Sequence, residues 1–205
     1  MKRIGIVGGT GYTGVELLRM LATHPGVEVI CLTSRSEAGK TVASLYPWLS
    51  HYGQLSFEEP SIEALSDCDL VFYATPNKIA MNEAGALLNR GVRVIDLAAD
   101  FRFSDVSLWE SAYGGPHGAP HLIQEAVYGL PEKYRADIRA ARLVGNPGCY
   151  PTATALALMP LVEASALSGS HVIVDGKSGA SGAGRSARTD LIVAEASDNF
   201  HAYAA

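Results

Sequence analysis

The chain has 205 residues, 48% of them hydrophobic and 18% charged, an ordinary globular balance with enough apolar material for at least one sizeable core. A formal net charge of -5, with 16 lysines and arginines scattered instead of forming runs, argues against a nucleic-acid partner. Three cysteines, Cys31, Cys68 and Cys149, without a CxxC pair or metal-ligand spacing, argue against a disulfide framework or a bound metal and fit a reducing cytoplasm.

The apolar run in the opening MKRIGIVGG is too short for a signal peptide, and no stretch reaches transmembrane length, so the chain reads as soluble with no membrane partner. Residues 3–8 (RIGIVG) predict a strand ending in glycines. Val15, Leu17, Leu18, Leu21 and Ala22 then recur at helical spacing up to the break at His24, Pro25 and Gly26. Val27 to Thr33 returns as a strand, completing a βαβ unit whose strands pair in parallel.

The alternation continues with a strand at 70–74, a helix at 78–89 and a strand at 92–97. Residues 104–130 dissolve into Gly, Pro, His and aromatic residues and read as a loop-rich excursion that suits a site wall. A short strand at 142–145, a helix at 151–167 opened by Pro151, and a strand at 171–175 (HVIVD) follow. The fold class expected is α/β: a doubly wound, mostly parallel Rossmann-type sheet, then the start of an α+β catalytic or oligomerisation domain. The borders expected are 1–148 for the nucleotide-binding domain and 149–205 for the beginning of the second. The stretch after 185 stops at Ala205 without a terminator, so that second domain is expected to be partial.

Gly8, Gly11 and Gly14 form a GxxGxxG variant of the dinucleotide fingerprint, placed between a first strand and a first helix. A pyrophosphate approaches backbone amides only where side chains are absent. Glycine turns also occur in plain βα units, and that alternative stays open. Where NAD enzymes carry an acidic residue for the ribose, this chain has Thr33, Ser34 and Arg35, a set suited to the 2′-phosphate of NADP(H). A solvated surface arginine is the alternative for Arg35, with Glu37 nearby.

Cys149 follows a Pro-Gly turn and opens a helix, where unpaired amides and the helix dipole favour a thiolate and can hold an oxyanion. A small buried hydrophobe is the commoner fate of a free cysteine, and Cys31 and Cys68 are assigned to it. Thiolate chemistry beside a dinucleotide turn points to acyl transfer coupled to hydride transfer.

The stretches GGTGYTG (8–14), TSRSEAGK (33–40), DLAADFR (96–102), YGLPE (128–132), GNPGCYPTA (145–153) and KSGASGAGR (177–185) resemble the N-acetyl-gamma-glutamyl-phosphate reductases, relatives of aspartate semialdehyde dehydrogenase. The resemblance implies NADPH-dependent reduction of N-acetyl-glutamyl phosphate to the semialdehyde, with release of phosphate. It makes Cys149 the nucleophile. Gly8, Thr10, Gly11, Tyr12, Thr13, Gly14, Ser34 and Arg35 then hold the adenosine half of NADP(H), and Ser181, Gly182 and Gly184 lie on the nicotinamide side. Arg102 and Arg185 become anchors for the anionic substrate, with a structural salt bridge as the alternative for each. Homo-oligomerisation through the second domain is also implied.

The family's acid–base histidine falls beyond the chain. His201 does not match its position, and His117 and His121 lie in the loop excursion, lining a cleft or merely exposed. Two other readings stay open: a reductase of carrier-bound aminoadipyl phosphate, and a non-catalytic NADP-binding sensor.

Overall fold

Alternate residues of the first strand, β1 (Lys2–Val7), face two separate cores, because successive side chains of a strand point to opposite sides. Ile4 and Ile6 join Val15, Leu18, Val29, Leu32 and Phe57, while Val7 joins Val71, Tyr73, Leu87, Val94 and Trp109. A computed structural model describes residues 1–169, 171–185, 188–200 and 202. It divides the chain into two units, Met1–His171 and Val172–Ala205.

In the first unit α1 (Tyr12–Leu21), β2 (Val27–Thr33), α2 (Val42–Leu45), α3 (Ile62–Leu65), β3 (Leu70–Tyr73), α4 (Ala80–Asn89) and β4 (Arg93–Asp96) follow β1. Then come α5 (Val106–Tyr113), α6 (Pro120–Ile123), β5 (Val127–Tyr128), α7 (Pro131–Ala140), β6 (Leu143–Gly145) and α8 (Cys149–Glu163). The strands form one sheet in the order β2-β1-β3-β4-β6-β5, every adjacent pair parallel. α1 contributes to the Ile6 core and α4 to the Val94 core, so the sheet is doubly wound, with its switch point between β1 and β3. Loops leaving the carboxyl ends of β1, β2, β4 and β6 therefore share one edge.

The excursion at 104–130 is more ordered than its composition suggests. Asp105 Oδ1 accepts the amides of Ser107 and Leu108 and so caps α5, whose Trp109 is fully buried. The cap outweighs the short apolar pattern there. The 15-residue helix α8 begins two residues before its predicted start and has no buried residue, although its composition is apolar.

In the second unit, the strand expected at 171–175 does not form, and Val172, Ile173 and Val174 are exposed. An extended segment becomes a strand only by pairing its backbone, and residues 171–175 have no strand partner among the described residues. Short turns at Ala180–Ala183 and Thr189–Leu191 and the helix α9 (Val193–Ala196) complete this unit.

Close packing at the first βα turn sets a stability test. A Cβ on Gly14 would stand 2.5 Å from the Gly8 carbonyl oxygen and 2.7 Å from Gly9 Cα, whereas one on Gly11 meets only the Gly8 carbonyl oxygen at 3.7 Å. Gly14→Ala is expected to lower stability by about 1–3 kcal/mol in urea denaturation. Gly11→Ala should stay within about 0.5 kcal/mol of wild type.

Candidate active site

The glycine turn is fixed by its neighbours. Gly8 has φ +84, a conformation that favours glycine, and a Cβ there would lie 2.4 Å from the Ala74 carbonyl oxygen at the end of β3. The amides of Gly8 and Gly9 both donate to the carbonyl of Thr33, which ties the turn to the end of β2. Gly11 caps α1 with open space around its Cα, so a phosphate can reach the backbone there, while Tyr12 and Thr13 form the first turn of the helix. Thr10 Oγ1 shares a 3.1 Å hydrogen bond with Ser34 Oγ, which brings two of the expected cofactor residues together.

Arg35 is exposed and makes no ion pair among the described residues. Glu37 is held instead by Lys40 Nζ at 2.6 Å, so it does not neutralise Arg35. Thr33 Oγ1 and Thr75 Oγ1 are buried without a hydrogen-bond partner among the described residues. Thr75, in the turn after β3, went unremarked in the sequence; its Cγ2 would stand 3.2 Å from a Cβ on Gly8. Open backbone, a hydroxyl pair, an uncommitted guanidinium and orphaned hydroxyls together fit a phosphorylated dinucleotide.

Three strands further along the sheet lies the cysteine turn. Gly148 caps α8 and Cys149 is its first residue, with the first intrahelical bond running from Thr152 N to Gly148 O. The Cys149 amide thus precedes the intrahelical ladder, and its exposed sulfur stands at the positive end of the helix. Cys31 and Cys68 are buried, and desolvation pushes their thiols up to about 11 and about 12.

What holds the cysteine turn is the loop after β4, seen in the sequence only as the stretch 96–102. Asp96 Oδ1 accepts the amide of Ala98 and Oδ2 that of Asp100, both at 3.0 Å, so the loop wraps around its own buried carboxylate. It then crosses directly over β6: a Cβ on Gly145 would sit 2.1 Å from the Phe101 carbonyl oxygen. The Asn146 amide donates to Asp96 O, and Arg102 donates from Nε to Asn146 O at 2.7 Å and from Nη2 to Leu97 O at 3.0 Å. Arg102 Nη1 lies against Gly148 and has no hydrogen bond among the described residues. Arg102 therefore braces two carbonyls, in place of the salt bridge weighed for it, with one nitrogen still facing the cysteine turn.

Asp100 is equally engaged. Its carboxylate accepts the amides of Lys78 and Met81 at 2.8 and 3.0 Å, capping α4 from a distant loop, and Asn77 Oδ1 accepts the Ala99 amide. His117, expected at a cleft or on the surface, is buried between Phe101 and Trp109. Its Nδ1 accepts the Ala119 amide at 3.1 Å, so Nε2 carries the proton and donates to Asp100 O at 2.8 Å. His121 lies on α6, exposed, and His201 lies outside the described residues. Ser181, Gly182 and Gly184 form an exposed turn in the second unit, followed by the exposed Arg185.

Residues 3–141 match the family model described as semialdehyde dehydrogenase, NAD binding domain. The chain belongs to the semialdehyde dehydrogenase family. Residues 149–205 match a second model of the semialdehyde dehydrogenases, their dimerisation domain. Among curated relatives, the N-acetyl-gamma-glutamyl-phosphate reductase of Nitrosospira multiformis is 57% identical over 99% of this chain and 59% of its own length. The protein of that name from Pseudomonas fluorescens is 57% identical over 100% of this chain and 60% of its own. The chain thus spans about 60% of the length of these relatives.

Solved structures agree on the fold. Aspartate semialdehyde dehydrogenase II of Vibrio cholerae aligns with a TM-score of 0.55 at 20% identity over 80% of this chain and 47% of its own. The Candida albicans aspartate semialdehyde dehydrogenase solved with NADP aligns with a TM-score of 0.56 at 18% identity over the same shares. No helix among the described residues is long and apolar enough to cross a membrane.

Two measurements check this geometry. Iodoacetamide near neutral pH is expected to modify Cys149 alone in the native chain and all three cysteines after denaturation; comparable native labelling of Cys31 or Cys68 would contradict the burial described. The Asp96 carboxyl is pushed up to about 7 by burial and then by Asp100, against the pull of two amides and Arg102. A carboxyl whose folded pKa is raised favours folding most below its unfolded value, and loses that contribution as pH rises to the folded value. Wild-type stability relative to Asp96→Asn is therefore expected to fall between about pH 4 and about pH 7 and then level off. Urea denaturation across that range measures it, and a flat difference would exclude the shift.

Proposed function

We propose that this chain carries the nucleotide-binding and acyl-accepting part of an NADPH-dependent N-acetyl-gamma-glutamyl-phosphate reductase. The observation that carries the reading is the exposed Cys149 at the first position of α8, on the same sheet edge as the glycine turn. The strand order puts three inter-strand steps between the two turns, about 14 Å, within the span of an extended dinucleotide. The curated relatives are named for this activity, which agrees with the chemistry available here.

In the reaction, the Cys149 thiolate attacks the carbonyl carbon of the acyl phosphate. A carbon–sulfur bond forms, the bond to the phosphate oxygen breaks, and phosphate leaves. Amides at the start of α8 stabilise the oxyanion formed during the attack. Arg102, braced on Leu97 and Asn146, turns Nη1 toward the substrate anion, and Arg185 is the other anchor proposed for that anion. When bound, NADPH supplies the hydride that reduces the thioester to the aldehyde and frees the thiolate. Gly8, Thr10, Gly11, Tyr12, Thr13 and Gly14 hold its pyrophosphate, Ser34 and Arg35 its 2′-phosphate, and Ser181, Gly182 and Gly184 the nicotinamide side. His117 takes no part in proton transfer, since both ring nitrogens are committed.

The borders that follow are 1–148 for the NADP-binding domain and 149–205 for the beginning of the catalytic and dimerisation domain. The protein works as a homo-oligomer in the cytoplasm, where its free thiols stay reduced.

The acylation half-reaction is testable on this chain without nucleotide. Incubation with N-acetyl-glutamyl phosphate should release phosphate and leave a stoichiometric acyl adduct on Cys149, detected by intact mass, and Cys149→Ser should leave none. No adduct on the wild type, or a faster one from carrier-bound aminoadipyl phosphate, sinks the reading.

A further inference from the structure

Two tyrosines of the segment between β2 and β3 reach back to main-chain carbonyls of α1 and of the turn before it. Tyr52 Oη donates to Leu18 O at 2.9 Å in the body of the helix, and Tyr46 Oη donates to Thr10 O at 3.1 Å in the glycine turn. The Thr10 carbonyl belongs to the same peptide unit as the Gly11 amide, which donates to Gly8 O at 3.3 Å. In a trans peptide the carbonyl and the amide point in opposite directions, so this unit is held at both ends. The pinned peptide joins the residue whose hydroxyl meets Ser34 to the glycine that leaves the backbone open.

We propose that Tyr46 is a positioning residue for the nucleotide pyrophosphate: its hydroxyl fixes the Thr10–Gly11 peptide and thereby the amides at the start of α1. The inference rests on the dinucleotide reading of the glycine turn. Tyr46 is not part of that turn. It stands 36 residues away in the chain, on the segment carrying α2, whose Thr41 cap, buried Val42 and Thr41–Ser56 bridge fix its place. The edge-on ring of Trp48, 6.1 Å from that of Tyr46, flanks it on the solvent side.

Tyr52 supplies the matched control, because it makes the same kind of bond from the same segment, to a carbonyl within α1 and away from the turn. Calorimetric titration of the 205-residue chain with NADP+ should show Tyr46→Phe binding about five- to tenfold more weakly than wild type, the loss expected for one hydrogen bond. Tyr52→Phe should bind as wild type even if its melting temperature falls. Hydrogen exchange without nucleotide gives a second readout. Exchange across residues 8–14 should quicken in Tyr46→Phe and stay unchanged in Tyr52→Phe.

Binding by Tyr46→Phe within twofold of wild type, equal weakening in Tyr52→Phe, or unchanged exchange at 8–14 overturns the proposal. Wild-type chain that binds neither NADP+ nor NAD+, with the exchange effect intact, overturns the dinucleotide reading and with it the functional role of Tyr46. Unchanged exchange in a chain that binds NADP+ overturns the role of Tyr46 alone.

Discussion

A carboxylate removed from water has to be satisfied by protein donors, and Asp96 finds two of them in the next four residues of its own chain. That requirement bends residues 97–101 into a loop tight enough to pass over β6. The crossing is so close that position 145 has no room for a side chain. Arg102 then emerges beside the cysteine turn and ties Leu97 to Asn146. The cysteine turn is held at one remove, through a loop whose shape is dictated by a buried carboxyl group.

The same loop places a second carboxylate, Asp100, where like charges oppose each other, and the structure offsets this with helix geometry. Asp100 sits at the N terminus of α4, taking the amides of Lys78 and Met81 where the helix dipole favours an anion. Lys78 adopts φ +73 to present its amide, and its Nζ reaches Gly114 O at 2.6 Å. The carbonyls of Ala99 and Asp100 are taken by Trp109 Nε1 and His117 Nε2. The Asp100 carboxylate and the carbonyls of Ala99 and Asp100 each have a partner outside the loop, so α4, α5 and the turn at 117–119 are fastened to it.

The sequence displays what is local. Strand β2 matches its pattern from Val27 to Thr33, and the glycine turn is readable because Gly8 and Gly14 meet steric demands within seven residues, with Gly11 leaving the backbone open between them. Helix α8 was anticipated from Pro151, though the true cap lies at Gly148. What escaped reading depends on partners far along the chain. Nothing near Asp100 announces that it caps a helix beginning at residue 80, and the hydroxyls of Tyr46 and Tyr52 act on carbonyls 36 and 34 residues away. The loop at 104–130 hid a capped helix because α5 is only eight residues long and its Gly, Pro and His neighbours dominate the composition. The failed strand at 171–175 is the converse case: its β-branched pattern was clear, but a strand is a relation between segments, and pattern alone does not provide the second one.

Burial of two of the three sulfurs reaches beyond the chemistry of the native site. Thiol oxidation follows thiolate character and access, so an oxidant meets this chain as though it had a single cysteine. Cys31 and Cys68 are sheltered by the core that they help to fill, and the sulfur at the head of α8 takes the first sulfenic acid. Loss of reactivity therefore precedes loss of structure, and a chain that has been oxidised once remains folded while the thiol at the head of α8 is blocked.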